Sequence, residues 1–474
     1  MNILHLEDNF KWFERVVKPE LMKIPAMNIF HANNKNEALN TLASNSIDYA
    51  LLDLSVPLDE TTEIANIQHG LSVAWHIRNE YPGIPIMILT GESTEEAAEK
   101  FEEENTFTTY WDGQERSLVK LRNKRRVSEV IEDLSSISSS LEVLDAIELD
   151  YDTKNFSLTH SEQRVIRLFC LKNKATAAKI NALNDGLSSA KVLNVTLINH
   201  SSKSMLSALV KIDDNKKAEI ERVNFQEHVT KLSVGSFPTY INEFYAGCSK
   251  KKGVFFQFAQ GFKKDYFDLY LEGDSQSLDI AKSAKSIFTN WTNVKNGKKV
   301  TIGDVRRIFC SDEKFNKYKI KEQLSSLNID IDAFETKSLN SNFCIQHADL
   351  HGMNILISET NTPLIIDYGD IKSCPSTFDP ITLELSPYFH PKMEGLVEHD
   401  MNLAEHWFDD KQLRHFSKNP ETAVFLREWA RSNAFLQKDY VVGVYSYIIK
   451  QFTYSDTNKD FAIALIKAAI REFN

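Results

Sequence analysis

No two of the five cysteines, Cys170, Cys248, Cys310, Cys344 and Cys374, form a CxxC pair, and their number is odd. That pattern excludes a disulfide scaffold and a zinc site of ordinary spacing, and it predicts buried thiols in a reducing compartment. Long apolar runs are also missing: none approaches the roughly 18 residues that begin to suggest a membrane span. The opening MNILHLEDNF has no basic stretch ahead of an apolar one, so a soluble cytoplasmic chain with no membrane partner is expected. Positive charge is in deficit, with 55 Lys and Arg against 66 Asp and Glu and a net charge of -11. Such a balance argues against binding nucleic acid by wholesale phosphate neutralisation and leaves room only for a local basic patch. What is present is ordinary for a globular protein: 42% hydrophobic and 26% charged residues. At 474 residues, and about 100 to 200 residues per domain, two to three compact units are expected.

Residues 1–125 alternate strand and helix signals. Ile3-Leu4-His5-Leu6, Met27-Asn28-Ile29-Phe30, Tyr49-Ala50-Leu51-Leu52, Ile84 to Leu89 and Phe107-Thr108-Thr109-Tyr110 are the strand candidates. Helices fall between them, the last one from Thr94. Five strands alternating with helices predict a parallel, doubly wound sheet covered on both faces, with functional groups gathered at the carboxyl ends of the strands. Glu7 and Asp8 follow the first strand, Asp53 ends the third and Thr90 ends the fourth. Three converging carboxylates repel one another unless a divalent cation neutralises them, which points to magnesium at Glu7, Asp8 and Asp53. With the cation bound, Asp53 is placed as a nucleophile towards a phosphoryl donor, and Thr90 as a switch residue that hydrogen-bonds the new phosphate. As single features these residues are ordinary strand-end caps; the bland reading weakens for four in this order.

The segment resembles the receiver domain of bacterial response regulators over its whole length. The resemblance implies a phosphoacceptor at Asp53 and a histidine kinase or other phosphodonor as partner. Two departures stand out. The loop from Leu54 to Gly70 is longer than the family's, and the stretch TTYWDGQ at the expected fifth strand lacks the family's phosphate-pairing lysine. Lys120 falls too far along the next predicted helix to replace it.

That helix is read over Ser117 to Leu134, with Lys120 to Arg126 as a solvated basic face. The serines at 135–140 and the acidic stretch 148–152 mark a helical linker over residues 126–155. Next, LTHSEQRVIRLF resembles the start of a LuxR-type helix-turn-helix, with Ser189 to Val192 opening a recognition helix. The competing reading is a capping box, Thr159 with Glu162, that opens an amphipathic helix. The capping box is favoured because Leu193 to Ile198 alternates as a strand.

Residues 347–370, HADLHGMNILISETNTPLIIDYGD, carry the densest chemistry. Asp349 and Asn354 stand five residues apart in a loop, and Ile355-Leu356-Ile357 and Leu364-Ile365-Ile366 suggest a hairpin that returns Asp367 to it. Phosphoryl transfer needs one carboxylate to orient and deprotonate a hydroxyl, and an amide oxygen and second carboxylate to hold magnesium. Asp349, Asn354 and Asp367 fill those roles in that order. The alternative, a polar turn between core strands, leaves the ordered polar residues unexplained. The stretch resembles the catalytic core of the aminoglycoside phosphotransferase and choline kinase group, distant relatives of the protein kinases, whose pattern is His-x-Asp-Leu-His-x-x-Asn followed by Ile-Asp-Phe/Tyr-Gly. His347, Asp349, Leu350, His351, Asn354, Ile366, Asp367, Tyr368 and Gly369 match it. With the Asp379-Pro-Ile-Thr-Leu-Glu384 wording, the organisation is also similar to the ternary complex associated domains of bacterial conflict systems.

A nucleotide site needs an upstream half. The small-residue turn around Gly186, Ser188 and Ser189 offers backbone amides to phosphates, although one glycine is more often a plain turn. The strand Ala208 to Ile212 follows, and its Lys211 resembles the kinase-fold lysine that contacts the α and β phosphates. Glu221 shares a helical stripe with Phe225, Val229 and Leu232 and is the carboxylate expected to hold that lysine, with Glu227 as competitor. Val254 to Ala259 is read as the strand leading to the adenine. Later, Asp379 either caps a helix or buttresses the catalytic loop, and the cap is favoured.

The expected architecture is therefore an α/β receiver over residues 1–125, a helical linker over 126–155, and an α+β two-lobed protein kinase-like domain with lobes at 156–265 and 266–474. The expected activity is ATP- and magnesium-dependent phosphoryl transfer to an unknown small-molecule or protein acceptor, in a cytoplasmic bacterial signalling protein controlled through Asp53. Two alternatives compete: a nucleotide-binding pseudokinase that acts as a regulated interaction module, and a DNA-binding response regulator.

Overall fold

The computed structural model describes residues 1–62, 64–91, 107–152, 156–183, 190–257, 262–292 and 295–474, with the backbone alone at Thr90. The helix expected from Thr94 and the turn holding Gly186, Ser188 and Ser189 lie outside the described residues. By contacts the chain divides into two compact units, Met1–Glu219 with Thr239–Ala259, and Ile220–Pro238 with Gln260–Asn474.

In the first unit, β1 (Asn2–Leu6), β2 (Asn28–Ala32), β3 (Tyr49–Asp53) and β4 (Ile86–Thr90) form the expected parallel strands. The fifth strand differs from expectation. Phe107–Thr109 is a short strand, β5, but it pairs antiparallel only with β6, Glu115–Ser117, in a hairpin outside the main sheet. The strand that completes the sheet is β7, Val119–Asn123, parallel to β4 with Ile86 opposite Val119 and Thr90 opposite Asn123. The sheet order β2-β1-β3-β4-β7 is that of a flavodoxin-like, doubly wound receiver fold. Val119 and Leu121 alternate with Lys120 and Arg122, a period of two, and Val119 is buried among Ile86, Ile88 and Val73. The helix expected from Ser117 begins instead at Val127.

That helix, Val127–Asp145, runs through the serines read as a linker turn; Ser139 and Ser140 donate to the carbonyls of Ser135 and Ser136, one turn back. Val130, Leu134, Ile137, Leu141 and Leu144 form its buried stripe. They share one hydrophobic cluster with Phe13 and Val17 of the receiver segment and with Val195 and Phe255 of the next sheet. The segment expected to separate two domains is thus a core element of one unit. The acidic stretch after it is β8, Glu148–Tyr151.

With β9 (Ala177–Ala182), β10 (Lys191–Ile198), β11 (Ser204–Asp214), β12 (Thr239–Phe244) and β13 (Lys251–Gln257), β8 forms a six-stranded mixed sheet of order β12-β13-β11-β10-β9-β8. Strands from 177 to 214 rule out the DNA-binding reading, which required three packed helices there. The helix His160–Lys172 opens on the Thr159 and Glu162 capping box, both halves of which are present.

The second unit is mostly helical, including Asp274–Ile287, Phe378–Phe389, Pro420–Asn433, Gln437–Gln451 and Lys459–Phe473. The sequence pattern over residues 304–327 reads as helical throughout, but the structure has three short helices there, Ile302–Phe309, Asp312–Lys317 and Ile320–Ser326, with Ser311 capping the second and a left-handed Lys319 preceding the third. The two apolar runs of the 347–370 stretch form the expected hairpin, Ile355–Ile357 against Pro363–Ile365. Among the described residues no helix is long and apolar enough to cross a membrane.

Candidate phosphoacceptor and phosphoryl-transfer sites

Parallel strands deliver their terminal residues to one edge, so Glu7 and Asp8 after β1 meet Asp53 at the end of β3. One ligand oxygen from each lies within 4.8 Å of the others. Glu7 and Asp53 are buried, while Asp8 is exposed. The lysine that the sequence lacked at residues 107–114 stands one residue beyond β7. Lys124 Nζ lies 2.6 Å from Asp53 Oδ2 and 2.8 Å from Glu7 Oε2. Lys120, the substitute weighed and set aside, pairs with Asp133 at 2.7 Å. The signal was available in Val119-Lys-Leu-Arg-Asn, an alternating run followed by Lys124, but Leu118 and Leu121 also fit a helical period.

Burial raises the proton affinity of Asp53 and of Glu7, and Lys124 only partly offsets it. Burial acts on Lys124 in the opposite sense, yet Asp53 and Glu7 hold its ammonium above its ordinary range. The backbone of Thr90 reaches the same edge at the end of β4. Gly70 is dictated by packing: a Cβ there would sit 2.3 Å from the Leu54 Cα. The long loop after Asp53 therefore returns to a close backbone approach.

In the second unit the catalytic-type loop is braced from below. Asp379 Oδ2 and Oδ1 accept the backbone N–H groups of His347 and Ala348, each at 2.8 Å. Asp379 is not the helix cap expected; Thr377 holds that position, and Asp379 sits fully buried beneath the loop. Burial pushes its carboxyl up to about 6. The brace holds Ala348 at φ 64°, a left-handed conformation costly for a residue with a Cβ. His347, also buried, places Nε2 2.9 Å from the Ile366 carbonyl and so ties the loop to the hairpin.

Asn354 donates through Nδ2 to the Asp349 carbonyl at 2.8 Å. Only the NH2 end of an amide donates, so the contact fixes the orientation and turns Oδ1 away as a free-standing oxygen ligand. Asp367 follows the hairpin with φ 66°, and Ile366 N–H donates to the Asn354 carbonyl. Two adjacent ties therefore bring the Asn354 and Asp367 segments together. Gly352 has no room for a side chain: a Cβ would lie 2.4 Å from Phe267 Cδ1.

Asp349 is half-buried. Its Oδ1 accepts from Lys450 Nζ at 3.3 Å. Burial alone would raise this carboxyl, but Lys450, His351 and His347 together hold it well below the usual carboxylate range. The same carboxylate holds the Lys450 ammonium far up, against burial. His351 Nε2 lies 3.2 Å from the Asn354 amide nitrogen, and burial lowers that imidazole's affinity for a proton. Oδ2 of Asp349, the oxygen that Lys450 does not take, lies 3.7 Å from the same ring nitrogen. Lys450 comes from the helix Gln437–Gln451, about a hundred residues downstream, and no local pattern announces it.

The expected nucleotide clamp is divided by the chain's own units. Lys211 lies on β11 in the first, opposite Val192 of β10 and Val254 of β13. Glu221 lies in the second, on the helix Asn215–Glu227, where it is buried and adds to the forces that keep the Tyr368 phenol protonated. Glu227, its competitor, is an exposed residue beside His228.

The two sites and the strand orders define a receiver-type doubly wound fold followed by a kinase-like fold of mixed sheet, braced loop and helical domain. No family model matches the sequence, and no curated protein does. Among solved structures the chain is similar to a CheY-like response regulator receiver domain protein from Methanospirillum hungatei, with 16% identity, a TM-score of 0.22, and 30% of this chain and 95% of that one covered. It is similar to an ethanolamine kinase from Plasmodium vivax, with 11% identity, a TM-score of 0.33, and 82% and 100% covered. It is also similar to the aminoglycoside phosphotransferase APH(4)-Ia, with 12% identity, a TM-score of 0.33, and 64% and 97% covered. At such identities the chemistry is judged from this chain's own side chains.

Proposed function

We propose that this protein is a phosphotransferase that moves the γ-phosphoryl group of ATP to a hydroxyl acceptor, under the control of a phosphorylatable receiver site. The supporting observation is the loop braced by Asp379, which holds Asp349, Asn354 and the Asp367 segment close together; in this reading Asp349 is the base, and Asn354 Oδ1 and Asp367 are the magnesium ligands. In the proposed reaction, Asp349 Oδ2 accepts the proton of the acceptor hydroxyl as that oxygen bonds to the γ-phosphorus. The bond from the γ-phosphorus to the bridging β–γ oxygen breaks, and ADP leaves. Lys211, Glu221 and the Gly186, Ser188 and Ser189 turn are kept as the groups that hold the nucleotide.

At the other site Asp53 is the phosphoacceptor for a histidine kinase or other phosphodonor. As its carboxylate oxygen bonds to the donor phosphorus, the bond from phosphorus to the donor (P–N in a phosphohistidine) breaks and the donor's imidazole leaves; Lys124 then pairs with the acyl phosphate, with Thr90 as the second contact. Magnesium, when bound at Glu7, Asp8 and Asp53 or at Asn354 and Asp367, neutralises carboxylate and phosphate charge so that two anions can meet. The donor sets fit such an ion: three clustered carboxylates in one case, an amide oxygen and a carboxylate in the other. The interaction-module alternative draws on a missing receiver lysine and a degraded glycine turn; Lys124 stands where that lysine is needed, and the turn lies outside the described residues. We place the protein in the bacterial cytoplasm.

The test is a radiolabelled ATP assay with magnesium and cell extract, comparing wild type with Asp349→Ala and Asp53→Ala. Label transfer lost in Asp349→Ala and altered by phosphodonor only when Asp53 is intact is the expected result. ATP binding with no turnover in wild type would overturn the enzyme reading in favour of a nucleotide-sensing module.

A further inference from the structure

Resting on the phosphotransferase reading, Lys450 bears on which acceptors the site can take. Its Nζ reaches the base, Asp349 Oδ1, at 3.3 Å, and that is one contact for an ammonium with three N–H donors. The Lys450 side chain is 24% exposed and that of Asp349 29%, so the pair stands at an open face of the second unit and not in its core. Asp370, Tyr447 and Tyr454 are the other groups close enough to act on the Lys450 charge.

A carboxylate base is the natural place for an amine-bearing acceptor to lodge its ammonium next to the hydroxyl it offers. Here the protein's own ammonium fills that place. An acceptor cation arriving within about 4 to 6 Å of Lys450 would meet a like charge in a partly desolvated setting, a net repulsion worth an order of magnitude or more in affinity. An acceptor anion would meet the two N–H groups of Lys450 that none of the described residues takes, in a charge-assisted hydrogen bond.

We infer that Lys450 selects the acceptor by charge, and that the acceptor is a hydroxyl compound carrying an anionic group, a phosphate or a carboxylate, beside the hydroxyl that is phosphorylated. The hydroxyl proton still passes to Asp349 Oδ2, the new bond is from acceptor oxygen to γ-phosphorus, and ADP is the leaving group; Lys450 binds the acceptor's anion and takes no proton. It is a specificity-determining residue.

The experiment uses the full chain, magnesium and ATP with four small probes: glycerol 3-phosphate and glycerate as anions of the two kinds, glycerol as the neutral compound, and ethanolamine as the cation. Each probe is scored as an acceptor and as a competitor of acceptor-free ATP hydrolysis. Wild type is expected to favour the anionic probes over glycerol by roughly tenfold in kcat/KM or in inhibition constant, the size of one charge-assisted contact, and to ignore ethanolamine. The phosphate and carboxylate arms separate the two anion sources. Lys450→Arg keeps the preference, Lys450→Met levels it, and Lys450→Glu reverses it towards ethanolamine. Melting temperatures identify any variant that fails to fold, and Lys450→Arg then carries the comparison against wild type. Ethanolamine favoured by wild type, no probe discriminated, or a preference unmoved in Lys450→Glu while hydrolysis still depends on Asp349 overturns the inference alone. No Asp349-dependent turnover of ATP by wild type overturns the phosphotransferase reading, and the inference falls with it.

Discussion

Lys124 and Lys450, both half-buried, each grip a carboxylate and each lower its proton affinity, yet the two carboxylates end up shifted in opposite directions. Lys124 lies 2.6 Å from Asp53, yet Asp53 holds its proton more tightly than an ordinary aspartate. Lys450 lies 3.3 Å from Asp349, yet Asp349 holds its proton far less tightly. Distance therefore does not decide. Asp53 is nearly sealed from solvent and has Asp8 beside it, with Glu7 sharing the same lysine, so burial and like charge outweigh one ammonium. Asp349 is more exposed and has Lys450, His351 and His347 around it. The first arrangement suits a site that waits for a divalent cation. The second suits a carboxylate kept ionised through the neutral range.

The comparison can be broken at its largest effect first. Asp349→Ala should cost about 10²- to 10⁴-fold in the rate of label transfer with only a modest fall in melting temperature, because its pair with Lys450 is partly exposed. Asp379→Ala should do the reverse: it orphans two buried backbone N–H groups and should lower unfolding free energy by about 2–4 kcal/mol in a urea titration, with activity falling as the loop relaxes. An Asp379→Ala protein as stable as wild type would mean that the brace is not needed to hold Ala348 in its left-handed conformation.

Lys124→Met sharpens the contrast at the other site. Two buried carboxylates would then face each other alone, so stability should drop by about 1–3 kcal/mol, and added magnesium should restore much of it. Wild type should show a smaller magnesium response, since Lys124 already neutralises part of the cluster. A melting curve with and without the ion reads both.

The smallest effect concerns pH. His5 is buried on β1 against Phe13, and burial, with His31 and Lys124, lowers its folded pKa to about 3 from the ordinary value of 6.5. Above pH 6.5 neither the folded nor the unfolded chain protonates it, and it contributes no pH dependence. Between 6.5 and 3 the unfolded chain binds the proton and the folded one does not, so stability falls as pH falls, by about 1.4 kcal/mol per unit at most. His5→Phe should flatten the melting temperature between pH 6.5 and 4.5. An unchanged slope would place the acid sensitivity elsewhere, His390 being the other imidazole lowered to about 3.

Much of both sites was legible because their residues are local in sequence. Asp349 and Asn354 share one loop, a hairpin of six strand residues returns Asp367, and Glu7, Asp8 and Asp53 each end a strand with a clear apolar run. Lys124 was hidden because Leu118, Leu121 and Val127 satisfy a helical spacing as well as a strand, and the ladder to β4 decided between them. The serines at 135–140 looked like a turn by composition, but the stripe from Val130 to Leu144 had a core to bury and the helix ran on through them. Asp379 looked like a cap because it stands at a helix start, a place where the same carboxylate can equally accept from a loop.

By itself the sequence singled out the candidate residues of the two sites, since carboxylates, an amide and histidines stand there in a fixed local order. It also determined the doubly wound class of the first sheet through alternation of strand and helix. Only the tertiary structure decided which lysine serves each carboxylate. Lys124 arrives by the choice of fifth strand and Lys450 by the packing of a helix a hundred residues away. A charge acts through space over a few ångströms, and one-dimensional spacing does not carry that distance.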